Sequence, residues 1–240
     1  MTNVKKARPR VILALDYADG ATALSLVRKL NNEDCRLKIG LELYTAAGND
    51  FVRELVDSGF DVFLDLKFHD IPNTVAQTCS VVASLGVWMI NVHALGGPAM
   101  MRAAREAIDT CSHQPLLIGV TILTSHGGQE LTSIGIDGDP TSAVLRLSRL
   151  TQESGLDGIV CSPHEVSLLR SELGEDFKLV TPGVRPQGSN ADDQQRIMTP
   201  AEAIAQGSDY LVIGRPVTQA DDPVRALDVI NQQLSGQPRV

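Results

Sequence analysis

The sequence contains no apolar run of membrane-spanning length, so no segment reads as a transmembrane helix. Its basic start, KKARPR, is followed by VILAL and then Asp16; that run is too short for a signal-peptide core, and the expected location is the cytoplasm. Cysteine is scarce. Cys35, Cys79, Cys111 and Cys161 stand far apart without a CxxC pair, as reduced packing thiols would rather than a disulfide framework. There is no metal-spaced His/Cys cluster, no HExxH, and no GxGxxG after the first apolar run, so neither a metal nor a dinucleotide cofactor is expected. Positive charge is also in deficit. With 21 Lys and Arg against 29 Asp and Glu, the formal net charge is −8, which argues against a nucleic-acid or other polyanion partner. An anionic small ligand would then need a local group of cations or backbone N–H donors. No linker, low-complexity stretch or literal repeat divides the 240 residues, which read as one domain over 1–240.

What is present is a regular beat. Eight short apolar runs, VILALD, RLKIGL, DVFLDLK, VWMINVHA, LLIGVTIL, GIVCS, KLVTPGV and YLVIGRP, recur at fairly even intervals. They are rich in Val, Ile and Leu with little alternation, as parallel strands covered on both faces should be. Amphipathic stretches of helical length lie between them, including ATALSLVRKL, AAGNDFVRELVDSG, GPAMMRAAREAID and TSAVLRLSRLTQES. Pro72 and Pro98 fall where first-turn prolines belong, and Asp222-Pro223 reads as a cap followed by a first-turn proline. The pattern predicts an α/β fold, a single (β/α)8 barrel of eight parallel strands. The rival is an open doubly wound sheet, which lacks its glycine fingerprint here.

A barrel of this kind concentrates its chemistry at the C-terminal ends of its strands. Asp16 ends the first run, Lys38 lies in the second, and Asp65 and Lys67 end the third. His93 ends the fourth, Thr124 follows the fifth, Arg185 follows the seventh, and Gly214-Arg215 end the eighth. Residues i and i+2 of a strand face one side, so Asp65 and Lys67 are expected to point together toward the mouth, with Lys38 joining from the neighbouring strand. The competing account is a structural ion network, with Asp70 as a helix-entry residue before Pro72. At the eighth strand, Gly214 would allow close backbone approach and Arg215 would supply a fixed fork of donors, a combination suited to phosphate. A tight turn carrying a surface arginine is the plainer alternative. The roles of His93, His126 and Trp88 stay open, with core or loop packing the default.

The segment DLKFHDIPNT resembles the D-x-K-x-x-D-I-P-x-T signature of the orotidine 5′-phosphate decarboxylase family. LALD, KIGLELYTAAG, VTILTS, TPGVRP and YLVIGRPV are similar to further segments of that family, in its order, from Val11 to Val217. The resemblance implies cofactor-free conversion of orotidine 5′-monophosphate to uridine 5′-monophosphate and CO2, the last step of pyrimidine nucleotide synthesis. It implies a charged network of Lys38, Asp65, Lys67 and Asp70 in which Lys67 delivers the proton. It also implies a homodimer in which Asp70, Ile71 and Thr74 complete the neighbouring subunit's site. By the same resemblance Asp16 would hold the ribose, Thr124 or Ser125 the pyrimidine, and the long polar segment after the seventh strand would form a lid with Arg185 and Gln194 on the substrate. Three other readings remain: a metal-dependent phosphosugar lyase or isomerase on a related barrel, a Schiff-base aldolase, and a non-catalytic phosphosugar or nucleotide sensor.

Overall fold

The computed structural model describes residues 9–123, 126–186 and 198–235. Each of the eight apolar runs forms a strand: β1 (Val11–Leu15), β2 (Arg36–Gly40), β3 (Val62–Phe68), β4 (Met89–His93), β5 (Leu116–Val120), β6 (Gly158–Val160), β7 (Lys178–Pro182) and β8 (Tyr210–Ile213). All neighbours pair in parallel, and β8 pairs back to β1, closing the barrel in sequence order. The helices between the strands are α1 (Gly20–Val27), α2 (Leu41–Asp57), α3 (Pro72–Ala83), α4 (Gly97–Asp109), α5 (Gly128–Ser133), α6 (Pro140–Glu153), α7 (Val166–Leu173), α8 (Pro200–Ala205), α9 (Arg215–Thr218) and α10 (Pro223–Leu234). No described helix is long and apolar enough to cross a membrane.

The weak alternation in the strands has a direct cause: both faces are covered. Val11, Leu13, Leu15, Leu37, Ile39, Val62 and Leu64 pack against the helices, whereas Ile12, Phe63, Met89, Ile118 and Val180 fill the barrel interior. The local signals act as their chemistry requires. Asp222 caps α10 by accepting from the Arg225 N–H at 3.1 Å, and Pro72 occupies the first turn of α3, where no intrahelical N–H bond is lost. α2 begins earlier than its amphipathic stretch suggests, directly after β2, and is kinked at Gly48, whose φ of 69° only glycine adopts readily.

The N-terminal end of the barrel is plugged. Arg36, only 2% exposed, is paired with Asp61 at 3.1 Å. Its guanidinium carbon lies 4.2 Å from the Trp88 ring centroid and 4.9 Å from that of Tyr210, and the two rings meet edge-on. Trp88 is thus a packing residue at the end remote from the candidate site. Aspartates just ahead of two strands clamp their neighbours: Asp157 accepts from the Leu117 N–H at 2.7 Å, and Asp209 from the Leu179 N–H at 2.9 Å.

One packing contact makes a stability prediction. Gly158 of β6 sits opposite Lys178 of β7, and a methyl group there would meet the Lys178 carbonyl oxygen and lie 2.7 Å from its Cβ. Backbone on both sides leaves little room to adjust. Gly158→Ala is expected to cost about 2–3 kcal/mol, the upper part of the usual range for overpacking. That should lower the melting temperature by about 5–10 °C. A thermal scan showing a change below about 1 °C would mean that β6 shifts freely, contrary to this packing.

Candidate active site

The C-terminal end of the barrel opens into a cavity of about 360 Å³, a volume typical of small-molecule sites. Its wall combines Asp16 after β1, Lys38 of β2, Asp65 and Lys67 of β3, and Val120, Ile122 and Leu123 along and beyond β5. Cys161 after β6, Pro182 at the end of β7 with Gly183 to Arg185 after it, and Gly214 to Pro216 after β8 also line it. Alternation along each strand puts these side chains inward. Phe63 fills the barrel interior, Asp65 stands one pleat higher, and Ala14 is level with Lys38 in the register of β1 and β2.

Asp65 is the centre of the network. Its Oδ1 lies 2.6 Å from Lys67 Nζ, and its Oδ2 lies 3.3 Å from Lys38 Nζ. Lys38 Nζ also lies 3.5 Å from Asp16 Oδ1, so one ammonium sits between two carboxylates. Burial pushes the Asp65 carboxyl up, but Lys38 and Lys67 and the hydrogen bonds from Lys67 and Asn91 outweigh it, holding the group below the ordinary carboxylate range.

Asp65 and Lys67 meet as expected, but simple strand alternation does not hold them. The β3–β4 register runs from Leu64 opposite Ile90 to Phe68 opposite Val92, so four steps on β3 match two on β4. Within this bulge Lys67 has φ 53°, the one positive value among the described non-glycine residues. Its N–H leaves the regular ladder and donates to Asn91 Oδ1 at 2.8 Å. The Asn91 amide donates in turn to Asp65 Oδ1 at 2.7 Å. Asn91 was not singled out from the sequence. The available signal was a single amide within the apolar run MINV, since a buried polar side chain requires partners.

Asp70 lies apart from this network in its own chain. It is exposed, and its Oδ1 accepts from the Ile71 N–H at 2.7 Å at the entry to α3. Ile71 is 66% exposed, and Thr74 is exposed on the first turn of the same helix. Leu41, Leu95 and Leu123 are also exposed large apolar residues at strand-following positions. Arg215 lines the cavity at the start of α9, with a guanidinium that has no partner among the described residues. Arg185 lines the wall after β7, where its N–H donates to the Met198 carbonyl at 3.1 Å. Thr124, Ser125 and Gln194 lie outside the described residues, as does most of the segment expected to form a lid.

His93 ends β4 half-buried, with Nδ1 lacking a hydrogen-bond partner among the described residues and its ring 5.5 Å from that of His69. Burial first, then His69 and Lys67, lower its affinity for a proton, against an opposing pull from Asp65. The cysteines are free thiols. Burial raises Cys35 and Cys79 to about 12, so both are inert packing groups.

A closed parallel barrel with a lysine–carboxylate cluster at its mouth and, after its last strand, an arginine without a partner among the described residues defines a class: a barrel enzyme equipped for an anionic, phosphorylated small molecule. The family follows from comparison. Residues 9–230 match the model of the orotidine 5′-phosphate decarboxylase / HUMPS family, and the chain belongs to that family. It is 58% identical over 227 residues to the orotidine 5′-phosphate decarboxylase of Vibrio cholerae serotype O1, covering 94% of this chain and 98% of that protein. It is 55% identical over 226 residues to the enzyme of the same name from Hydrogenovibrio crunogenus, covering 94% and 96% respectively. The crystal structure of orotidine 5′-phosphate decarboxylase from Lactobacillus acidophilus superposes with a TM-score of 0.86 at 37% identity, covering 95% of this chain and all of that one.

Proposed function

We propose that the chain decarboxylates orotidine 5′-monophosphate to uridine 5′-monophosphate and CO2, the final step of UMP synthesis. The observation that carries this reading is the Lys38–Asp65–Lys67 network facing the cavity, in a chain more than half identical to proteins named for that reaction. Loss of CO2 leaves carbanion character on a ring carbon with poor resonance stabilisation. Lys67 stabilises that charge electrostatically and then protonates the carbon. Asp65 orients Lys67 and lies near the departing carboxylate. Two like charges 4 Å apart repel by about 4 kcal/mol at an effective dielectric of 20, too little to account for the reaction. Most of the effect is therefore assigned to stabilisation by the lysine. Arg215 binds the phosphate, with Arg185 and Gln194 contacting substrate from the lid segment. Asp16 holds the ribose, and Thr124 or Ser125 the pyrimidine. Binding energy from the remote phosphate helps to organise the site.

A metal-dependent phosphosugar reaction fits less well. Between Asp16 and Asp65, where a cation would lie, the site already holds Lys38 Nζ. The deciding measurement is the ultraviolet change when orotidine 5′-monophosphate is added to exhaustively chelated protein. Full turnover supports the proposal; turnover only after a divalent ion is restored points to the metal-dependent reading.

The exposed row Asp70, Ile71 and Thr74 fits a homodimer in which each chain completes the other's site. If so, Lys67→Ala and Asp70→Ala proteins, each inactive alone, should regain about a quarter of wild-type activity when mixed and allowed to exchange subunits. Half the dimers are then hybrids with one intact site each. No gain on mixing, with hybrids demonstrated by mass, would rule out sharing.

A further inference from the structure

We infer that Asn91 is the positioning residue that holds Lys67 in register for proton delivery, an assignment that rests on the decarboxylase reading above. β4 sends no side chain into the cavity wall, and Asn91 is 0% exposed, so it does not touch substrate. Its two bonds reach the two groups that matter: the amide N–H donates to Asp65 Oδ1 at 2.7 Å, and the amide oxygen accepts from the Lys67 N–H at 2.8 Å. The same Asp65 oxygen receives Lys67 Nζ at 2.6 Å. One side chain therefore closes a ring through the backbone and the side chain of Lys67.

The ring answers a local problem. The β-bulge takes the Lys67 N–H off the ladder, and a left-handed backbone at a non-glycine residue persists only where its surroundings over-determine it. An amide carries a donor for a carboxylate and an acceptor for an N–H on two separate atoms of one planar group, so it spans both partners at once. Leucine would offer neither, and aspartate would set a second carboxylate against Asp65. Asparagine at 91 thus meets both demands with one side chain.

Asn91→Ala removes both bonds. The expected result is a fall in kcat of about 100-fold, the effect of moving a reacting group by about 1 Å. KM should change less than about threefold, because the proposed ribose and phosphate contacts lie after β1, β7 and β8. Asn91→Asp preserves volume and the acceptor for Lys67, and decides the matter if the alanine protein does not fold. Its carboxyl faces Asp65 and Lys67 on β3, with Lys38 of β2 on the other oxygen of Asp65 and His93 two residues along its own strand. A proton shared with Asp65 restores the lost hydrogen bond, and its removal sets two like charges together. The ratio of variant to wild-type kcat should therefore fall as pH rises through the loss of that shared proton. A flat ratio, or an alanine variant retaining kcat within about threefold, overturns the assignment. Amide hydrogen exchange separates this inference from the reading beneath it. The Lys67 amide should be protected in wild type and exchange fast in Asn91→Ala, while Leu64 stays protected; equal protection in both proteins overturns the bracing role. Wild-type protein that fails to decarboxylate orotidine 5′-monophosphate would instead sink the decarboxylase reading and leave the exchange data to judge Asn91.

Discussion

Lys67→Ala should lower turnover of orotidine 5′-monophosphate by at least about 10⁴-fold. The figure combines about 10²–10⁴ for a positioned proton donor with about 10²–10³ for a preorganised charge, both removed at one group. The fold should survive the change. Asp65 keeps Lys38 at 3.3 Å and Asn91 at 2.7 Å, so its buried carboxylate is not left without a partner. Binding should survive as well, because the proposed phosphate and ribose contacts, Arg215 and Asp16, come from the ends of other strands. Calorimetry with uridine 5′-monophosphate should give an affinity within about tenfold of wild type, while the ultraviolet assay shows turnover lost. Decarboxylation within about tenfold of wild type would remove Lys67 as proton donor.

Arg215→Ala should separate phosphorylated from unphosphorylated substrate. A hydrogen bond to a charged group contributes about 1.5–3 kcal/mol, so kcat/KM for the nucleotide should drop by about 10–150-fold. The free nucleoside lacks the phosphate and should be affected less than about twofold. The variant is informative because the Arg215 guanidinium has no structural partner among the described residues and is exposed, so little else changes on truncation. Equal losses with both substrates would rule out a phosphate contact. The nucleoside arm also guards against a general effect on cavity shape, which would slow both.

Much of the fold was legible in the chain. Runs such as RLKIGL and YLVIGRP have the length, branching and lack of alternation that a doubly covered parallel strand needs, and all eight became strands. The caps were legible for the same reason: Asp222 and Pro72 act within one helical turn of themselves. Kinked α2 was less so, because its first turns carry the apolar pattern only weakly and Gly48 breaks it. Asp65 and Lys67 were legible as a pair by position, yet the strand phase that suggested the pairing was not what maintains it. Asn91 stands 26 residues from Asp65 and could not be connected to it from local pattern.

The sequence by itself determined the barrel, the strand ends at which charge gathers, and the residue types of the third-strand cluster. These depend on short-range physics: which faces are covered, where a helix can start, and which side chains carry charge. Only the tertiary structure decided that Lys67 sits in a left-handed bulge, that Asn91 braces it, and that Asp70 stands clear of the network in its own chain. Those facts depend on the register between β3 and β4, which is set by closing the barrel and can be seen only when both strands are in place.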